Sequence, residues 1–527
     1  MSTKRFVKRK LQQLIESGKY PELTDFNQLL DKLLDKPYNL ILLSDAYKYS
    51  HHSFYGESMS HMGSYLEARG GDFGYTLWAG IQAKLKRFLE GVAITAQDVD
   101  EAYDFLGTEL GVFGRADVFD RSKFDYIVEK HGGRLPVEIK AVPEGTPVNH
   151  HNVLLYIEST DPECAWLTNF LESLILQVWY PTTVATLSRE VKRIIYKAFE
   201  KTSVLSGDAL EITIGYVLND FGFRGASSVE SAEFGGFGHL INFNGSDNVI
   251  ASHLIREYYH TELIAGKSIP ATEHSIMTLK GKDGEAEMMR RVLEAYPTGT
   301  VACVSDTYDI MNAVDNIWGR DLREMILSRP SEPGNALVIR PDSGDVNITL
   351  LKIFNSLFEK FGYTTNHKGF KVLPPQIRVI QGDGVNINSI AGMYDLLAEN
   401  KISAENLVLG MGGKLLQAEI DRDRHNFATK ACHAVIDGED VFPIKSPIVF
   451  NALGERKESF KKSKPGKLKL VNNNDGTFRT VSSLDDDFND VEDCLQLIFR
   501  NGEMFNETTF EEIRERAAIP EYRQVLI

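Results

Sequence analysis

Cysteine is scarce in this sequence of 527 residues, and its distribution excludes the folds that depend on it. The four cysteines lie far apart along the chain, at Cys164, Cys303, Cys432 and Cys494. Disulfide-stapled secreted domains and zinc knuckles both need several cysteines at short spacing. We therefore expect neither, and the sparse cysteines favour a reducing compartment.

Long hydrophobic runs are also missing. A helix that crosses a bilayer needs about 18 or more consecutive apolar residues, and no run of that length occurs. The basic start, Met1–Lys10, is not followed by the apolar segment of a signal peptide. From these two observations we expect a cytoplasmic protein with no membrane partner.

Positive charge is in deficit. The chain has 58 Lys and Arg against 74 Asp and Glu, a formal net charge of -16. Proteins that bind the nucleic acid backbone usually have the opposite balance, so we expect no nucleic acid partner. A local basic cluster can still hold a phosphorylated small molecule inside an acidic protein.

The middle of the chain contains a repeated alternation of apolar runs and helical patterns. Each run ends in an acid, a histidine, an arginine or glycines; the seven runs lie near residues 215–218, 239–243, 269, 300–304, 336–339, 377–380 and 407–409. Alternating strands and helices indicate parallel strands. Seven such ends favour a closed β/α barrel with its site at the C-terminal ends of the strands. An open doubly wound sheet, with its crevice at the same ends, is the alternative.

The length exceeds what one hydrophobic core usually supports, so two domains are expected. We predict a barrel domain at residues 181–420 and a discontinuous mixed α/β domain formed by residues 1–180 and 421–527. Within residues 1–180 we expect polar helices to about Asn39, then a strand at Leu40–Leu43, a half-buried strand at Val137–Val142 and a helix at Trp166–Trp179.

The last hundred residues show two further local signals. Asn474-Asp475-Gly476 lies between two alternating segments and predicts a β-hairpin. The segment Phe510–Ala518 has a helical pattern, with Thr508 or Thr509 as the N-cap.

Arg340-Pro341-Asp342-Ser343-Gly344 places an acid and a base together at a strand end. A carboxylate there can accept from ribose hydroxyls, and a guanidinium can donate to a phosphate or an amide carbonyl. The alternative is a turn in which Asp342 only caps the next helix. The residues alone do not decide between the two.

Two glycine-rich turns follow later strands, Gly382-Asp383-Gly384 and Gly410-Met411-Gly412-Gly413. Small residues before a helix let backbone N–H groups approach a phosphate. Neither turn is a Walker loop, because Lys414 is followed by leucine and not by serine or threonine. A tight turn without a ligand is the commoner explanation of each.

His274 follows Glu273 at another strand end, and Asp306 stands one strand later, where it could orient the imidazole. Such a pair can serve as nucleophile or general base. A single histidine is more often structural, and no second histidine stands at metal-ligand spacing. A run of lysines beside Pro465-Gly466 has the same ambiguity between a solvated loop and a phosphate-covering lid; it comprises Lys457, Lys461, Lys462, Lys464, Lys467 and Lys469.

Taken together and in this order, several longer segments resemble the nicotinamide phosphoribosyltransferase family. The match runs from about Leu40 to the C-terminal tail. The segments are Leu43–Lys48, Ile139–Gly145, Thr160–Cys164, Trp179–Thr186, Asp220–Gly225, Val304–Asp309, Arg340–Gly344 and Val379–Gly384. So many long segments in one order are specific, although no single one would be.

The resemblance implies the type II phosphoribosyltransferase fold, an irregular α/β barrel with a mixed domain. It also implies a head-to-tail homodimer with two shared active sites. The implied reaction transfers phosphoribosyl from phosphoribosyl pyrophosphate to nicotinamide and releases pyrophosphate. Mg²⁺ would be the cofactor, and ATP would be a co-substrate hydrolysed through a phosphohistidine.

Residue roles follow from the same resemblance. Phe221 and Tyr47 would sandwich the pyridine ring, with Tyr47 supplied by the other subunit, and Asp247 would accept the carboxamide N–H. His274, next to Asp306, would be phosphorylated by ATP. The remaining contacts would come from Arg224, Arg340 and Asp342 on the amide, phosphate and ribose side, from Gly382, Asp383, Gly412 and Gly413 around the 5-phosphate, and from Arg69, Arg422, Lys430 and Lys445 across the interface to pyrophosphate and nucleotide phosphates.

Two other functions compete with this one. Nicotinate phosphoribosyltransferase shares the fold and the chemistry, but Asp247 would attract an amide and repel a carboxylate. A secreted or scaffolding role without catalysis would not require Arg340, Asp342 and His274, all of which are present. The correspondence of Lys461 to the lysine of the family's phosphate lid stays open, because the preceding loop is longer than usual.

Overall fold

Seven chain segments converge in a computed structural model to form an irregular β/α barrel. The structure describes residues 38–56, 58–262, 264–450, 454–458 and 462–520. The polar helices predicted for the first residues and the position of Lys461 lie outside these ranges. Within the described residues, the chain forms two compact units: unit 1 takes those within Met1–Thr183, Leu254–Leu263 and Asp421–Ala517, and unit 2 takes those within Val184–His253, Ile264–Ile420 and Ala518–Ile527.

Unit 2 contains the barrel. Its parallel strands are β1 (Leu218–Asp220), β2 (Gly245–Ser246), β3 (Val301–Val304), β4 (Leu337–Arg340), β5 (Ile377–Gln381) and β6 (Leu407–Met411). They pair in the order β2-β1-β6-β5-β4-β3. Residues 267–271 reach both edge strands, through single parallel bridges from Lys267 to Gly245 and from Ala271 to Ala302. The β/α barrel expected from the sequence is therefore confirmed, with an irregular seventh member.

Helices separate these strands in the sequence, as the alternation predicts. They are Gly207–Gly215, Val229–Leu240, Val249–Tyr258, His274–Met277, Glu285–Ala295, Ile310–Asn312, Arg323–Leu327, Val346–Phe361, Ile387–Glu399 and Gly413–Leu416, with a π-helix at Ala313–Asp321 and the long helix Trp179–Thr202 before the first strand. A short antiparallel pair, Thr364–Thr365 and Lys371–Val372, precedes β5. Each strand thus ends in a turn that faces the same end of the barrel.

Unit 1 is built on a seven-stranded antiparallel sheet. Its strands are, in spatial order, Glu439–Val441, Ala428–Ile436, Met59–Glu67, Val153–Ser159, Val137–Ala141, Gln496–Arg500 and Glu503–Met504. Smaller pairs are Tyr75–Leu77 with Pro147–Asn149, and Ile448–Phe450 with Arg456–Glu458. The helices are His52–Tyr55, Ile81–Phe88, Ala96–Leu106, Arg121–His131, Leu167–Phe170, Glu172–Ile175 and Phe510–Ala517. Many of these elements contribute side chains to a shared buried apolar core.

Three local predictions in unit 1 are confirmed. The predicted strand at Val137–Val142 forms as Val137–Ala141. The hairpin forms between Leu468–Asn472 and Phe478–Ser482. In the terminal helix, Thr509 Oγ1 accepts a hydrogen bond from Glu512 N at 3.3 Å, while the Glu512 carboxylate accepts from Thr509 N at 3.0 Å. The predicted N-cap is therefore Thr509, and the return bond from Thr509 N to Glu512 completes a capping box that was not predicted from the sequence.

Three other local predictions are wrong. Leu40–Leu42 is a 3-10 helix and not a strand, because Asn39 accepts from Ile41 N at 3.0 Å and starts a helical turn. The run at residues 239–243 belongs to the end of a buried helix, and the strand there is only Gly245–Ser246. The segment Trp166–Trp179 is broken into short helical pieces before the long helix begins. A short apolar run buried on all sides has no periodicity that separates helix from strand.

Candidate active site

The interior of the barrel is lined by small and apolar side chains that end below a polar rim. Ala302, Ala336, Val338 and Ile380 pack together as a buried cluster, and Phe221 packs against it. Successive strand residues alternate between the two faces. The same alternation therefore turns Arg340, two residues beyond Val338, and Gly382, two residues beyond Ile380, towards the interior.

Phe221 lies between the apolar interior of the barrel and this polar rim. Its backbone N–H donates to the carbonyl of Met411 at 2.9 Å, which ties the end of β1 to the end of β6. A β-carbon on Gly410 would overlap the Phe221 ring, so only glycine leaves the ring in its place. A β-carbon on Gly382 would stand 3.9 Å from the ring and 3.6 Å from Asp342 Oδ1. Phe221, Gly382 and Asp342 therefore border one space.

Asp247 follows β2 on the same rim. Its backbone N–H donates to the carbonyl of Asp220 at 2.9 Å, so it lies beside the turn that carries Phe221. The Ser268 hydroxyl donates to the Asp247 carboxylate and orients it. The carboxylate is exposed and available to a ligand. Ser268 was not predicted from the sequence, because its contact with Asp247 depends on the irregular seventh segment of the barrel.

His274 and Asp306 meet as the sequence suggested. Their side chains are 3.0 Å apart, from Nε2 to Oδ1, and the Asp306 carboxylate is buried while the imidazole is about half exposed. The second oxygen of Asp306 accepts from the backbone N–H of Asp342 at 3.1 Å and from the Ser343 hydroxyl at 2.5 Å. One carboxylate thus holds both the histidine and the turn after β4. Ser343 is a second member of the site that was not predicted.

The turn after β4 is not explained by helix capping. The N-cap of helix Val346–Phe361 is Asp345, whose side chain accepts from Ile348 N at 2.9 Å. The Asp342 side chain is therefore left for another role. Within the described chain, the buried Nε of Arg340 has no hydrogen-bond partner. Burying a donor without a partner costs free energy. The Arg340 Nε is therefore available to donate to an anionic or carbonyl group of a ligand.

The glycine-rich turns leave backbone groups accessible at the ends of β5 and β6. Gly384 has a φ of +71°, a conformation that favours glycine. Helix Ile387–Glu399 follows it and is capped by Asn386. After β6, a β-carbon on Gly225 would come within 2.8 Å of Gly413 Cα, so the turn that holds Arg224 packs backbone to backbone against the β6 turn. Arg224 and Asp383 are exposed on this rim, and Gly412 is open to ligand.

The remaining predicted residues all belong to unit 1. Tyr47 is 61% exposed in a 3-10 helix, with its ring edge-on to His51 at a centroid distance of 4.9 Å. Arg422 is exposed and pairs with Asp423 at 3.0 Å. Neither contact holds its side chain firmly, because an exposed ion pair and an exposed edge-on ring contact each contribute little free energy.

Arg69, Lys430 and Lys445 form a basic group in the same unit. Burial lowers the pKa of Lys430, and the positive charges of Arg69 and Lys445 lower it further. Arg69 is largely buried and lies 3.8 Å from Glu67, which also binds Lys464 at 2.5 Å. A group of cations at such close range is stabilised by an anion. The structure therefore places the predicted anion-binding residues in two sets, one on each unit.

The described residues show one cluster of three possible metal ligands, formed by His131, Asp161 and Cys164 in unit 1. Asp161 there already accepts from Glu163 N at 2.8 Å and lies 2.7 Å from His131 Nε2. On the barrel rim, Asp342 and Asp383 supply isolated carboxylates. Mg²⁺ usually keeps several waters and takes one or two carboxylates together with substrate phosphates, so the rim suits a substrate-bound Mg²⁺.

No helix in the described part of the chain has both the length and the apolar character to cross a bilayer.

The comparisons with known proteins give related phosphoribosyltransferases of nicotinate and nicotinamide. The profile of the Nicotinate phosphoribosyltransferase (NAPRTase) family matches residues 216–474, and that of the nicotinamide phosphoribosyltransferase N-terminal domain matches residues 39–139. A nicotinamide phosphoribosyltransferase of Xanthomonas campestris is 40% identical, over 91% of this chain and 98% of that protein. One from Acinetobacter baylyi is 32% identical, over 73% and 77% respectively.

The fold has solved counterparts. The crystal structure of nicotinate-nucleotide pyrophosphorylase from Pyrococcus furiosus superposes with a TM-score of 0.55, over 93% of this chain and 96% of that chain, at 14% identity. At that identity the likeness establishes the fold alone. The sequence relationship goes further, and the chain belongs to the nicotinamide phosphoribosyltransferase family.

Proposed function

We propose that this enzyme transfers the phosphoribosyl group of phosphoribosyl pyrophosphate to nicotinamide and forms nicotinamide mononucleotide and pyrophosphate. The observation that carries the proposal is the exposed Asp247 carboxylate, oriented by Ser268 beside the Phe221 turn. A carboxylate in that place accepts the N–H of a carboxamide on a ring stacked over Phe221. Two relatives that match most of this chain are named for the same activity.

The reaction needs positioning and charge neutralisation. The ring nitrogen of nicotinamide attacks ribose C1 without a general base, so stacking on Phe221 supplies orientation. The transition state resembles an oxocarbenium ion, and the departing pyrophosphate gains charge that cationic groups must balance. Arg340 has an unsatisfied buried donor for this purpose. Bound Mg²⁺ would neutralise pyrophosphate charge, with Asp342 and Asp383 as the available carboxylates.

We propose further that ATP is a co-substrate and that His274 carries its phosphoryl group. The support is the contact with Asp306, which holds one imidazole nitrogen and leaves the half-exposed ring available as a nucleophile. We also propose a homodimer with shared sites, in which Tyr47, Arg69, Arg422, Lys430 and Lys445 of one subunit complete the site of the other. The resemblance to the family supports this arrangement.

Asp247→Asn tests the choice of substrate. A charged hydrogen bond contributes about 1.5–3 kcal/mol, so kcat/KM for nicotinamide should fall about 10- to 100-fold. The wild-type preference over nicotinate should narrow, because the asparagine no longer repels a carboxylate. Product formation with each base, phosphoribosyl pyrophosphate and Mg²⁺, with and without ATP, measures both effects.

The second candidate, nicotinate phosphoribosyltransferase, is favoured by the name of the profile that covers the barrel. Equal or faster wild-type turnover of nicotinate in the same assay would establish it and would refute the role given to Asp247.

Gly410→Ala tests the stacking role of Phe221. The added methyl group overlaps the ring, and overpacking displaces side chains at a cost of about 1–3 kcal/mol. We expect KM for nicotinamide to rise about tenfold or more. Gly392→Ala is the control, because Gly392 lies on helix Ile387–Glu399 and a β-carbon there would meet no neighbouring atom within 4 Å apart from the adjacent turns of its own helix. An unchanged KM in Gly410→Ala would show that the ring does not contact nicotinamide.

A further inference from the structure

A buried carboxylate lies directly behind the proposed nicotinamide site. Asp220 immediately precedes Phe221, and none of its surface is exposed to solvent. Its Oδ1 accepts from the backbone N–H of Gly222 at 2.7 Å, and its Oδ2 accepts from Asn248 Nδ2 at 3.0 Å. Because strand residues alternate, Asp220 faces away from the interior that Phe221 faces.

These contacts join the two turns that hold the proposed nicotinamide ligands. Gly222 belongs to the turn between Phe221 and Arg224, and Asn248 directly follows Asp247. The backbone carbonyl of Asp220 also accepts from Asp247 N at 2.9 Å. One residue therefore fixes the ring-stacking turn and the amide-binding turn to each other.

A third element anchors the network. Asn248 Nδ2 also donates to the carbonyl of Ala232 at 2.8 Å, in helix Val229–Leu240. The helix comes so close that a β-carbon on Gly236 would overlap the Asn248 amide. Asn248 is almost fully buried, so its amide has little freedom to turn away from Asp220. A strand, a turn and a helix therefore all constrain the position of the Asp220 carboxylate.

Burying an ionised carboxylate at position 220 costs free energy. Burial disfavours the charged form and raises the pKa of Asp220 to about 6, against the lowering effect of its two hydrogen bonds. Asp247 is the ionisable group whose charge acts on Asp220, and it raises the pKa further. A neutral side chain could satisfy Gly222 without this cost. An ionised acid accepts strongly from Gly222 and Asn248 together, which a neutral group does not.

We propose that Asp220 is a positioning residue that holds Phe221 and Asp247 at the spacing nicotinamide requires, without itself touching the substrate. The inference rests on the proposed function. It separates the pyridine half of the site, which depends on Asp220, from the phosphate half, which is formed by the turns after β4, β5 and β6.

Asp220→Asn is the informative substitution because it keeps the shape. An asparagine can still accept from Gly222 through its oxygen, but its amide nitrogen then faces the amide nitrogen of Asn248. Turning the Asn248 amide relieves that clash but places its oxygen against the Ala232 carbonyl. One unfavourable pair remains either way, so the two turns should lose their fixed spacing.

Steady-state kinetics of the full-length enzyme test the proposal. We expect Asp220→Asn to raise KM for nicotinamide about tenfold or more, while kcat and KM for phosphoribosyl pyrophosphate stay within about threefold of wild type. Glu285→Gln is the matched control, because Glu285 is a second buried acid of unit 2. Among the described residues, no hydrogen bond joins its side chain to the turns that carry Phe221 and Asp247, and its Oε1 has no hydrogen-bond partner. The substitution should leave all three constants near wild type. An unchanged KM for nicotinamide, or an equal rise in both KM values, would overturn the proposal.

The pH dependence of KM for nicotinamide supplies a second test. As the pH falls through about 6, Asp220 takes up a proton and its hydrogen bonds weaken, so wild-type KM for nicotinamide should rise. This rise should be absent in Asp220→Asn, whose KM is already high. The same rise in the variant and in wild type would contradict the assignment.

Two further measurements keep the test decisive. If Asp220→Asn fails to fold by circular dichroism, Asn248→Ala is the second variant. It removes the donor to Asp220 Oδ2 together with the bond to the Ala232 carbonyl, and it should raise the same KM. An unchanged KM for nicotinamide in that variant would refute the proposal. If wild-type enzyme uses nicotinate and not nicotinamide, the proposed function fails. The KM comparison is then made with nicotinate, and it still decides whether Asp220 positions the pyridine half.

Discussion

Asp306→Ala should abolish stimulation by ATP and should also lower ATP-independent synthesis about 100-fold, whereas His274→Ala should abolish only the stimulation. The difference arises because the Asp306 carboxylate has two functions. One oxygen contacts His274, and the other accepts from Asp342 N and the Ser343 hydroxyl. Removing it frees the turn that carries Arg340 and Asp342, and loss of one well-placed charge-stabilising group typically costs about 10²–10³ in rate.

The ATP-independent rate separates the two substitutions. His274 contacts Asp306 but not the turn after β4, so its loss leaves Asp342 and Arg340 in place. The imidazole would carry a phosphoryl group and would not attack ribose. Initial rates of nicotinamide mononucleotide formation with Mg²⁺, measured with and without ATP, resolve both effects in one experiment.

A matched control lies in the same loop. Asp309 caps the helix at Ile310 by accepting from Met311 N at 3.0 Å, and it has no contact with the His274–Asp306 pair among those described. Asp309→Ala should therefore cost about 1 kcal/mol of stability and should change neither rate. If His274→Ala were stimulated by ATP as strongly as wild type, the phosphohistidine role would be wrong. If Asp306→Ala kept its ATP-independent rate, the shared-carboxylate argument would fail.

The positions of the strand ends could be predicted from sequence because the signal is local. Each apolar run is short and stops at a polar or glycine residue, and β3, β4, β5 and β6 form within a residue or two of the predicted runs. Parallel strands in a barrel place all such ends at one face. The approach of His274 to Asp306 followed from the same rule, although they are 32 residues apart.

The supporting contacts could not be predicted in the same way. Ser268 reaches Asp247 only because residues 267–271 join the barrel by single bridges. No hydrophobic periodicity in the sequence predicts such bridges. Asn248 meets Asp220 because helix Val229–Leu240 approaches closely at Gly236. Such contacts depend on the packing of elements distant in sequence, so residue types alone do not specify them. The requirement for glycine at position 410 could not be predicted either, because it depends on the position of the Phe221 ring, which a β-carbon there would overlap.

Mixed dimers should recover activity that neither parent possesses, if the sites are shared as proposed. Arg422→Ala removes a proposed phosphate contact contributed to the partner's site, and Asp342→Ala removes a ribose contact on the barrel. Arg422 is exposed and pairs only with its neighbour Asp423 among the described residues, so its loss should not disturb folding. In either parent homodimer, both sites carry the same lesion and activity should be nearly absent.

Co-refolding the two variants redistributes the lesions. In a mixed dimer one site collects both lesions and the other collects neither, as closed two-fold symmetry requires. Random pairing makes about half the dimers mixed, each with one intact site, so roughly a quarter of wild-type activity should return. Wild-type enzyme taken through the same refolding gives the reference, and differently tagged subunits measure the mixed fraction. Mixed dimers that form but stay as inactive as their parents would show that each site is completed within a single chain.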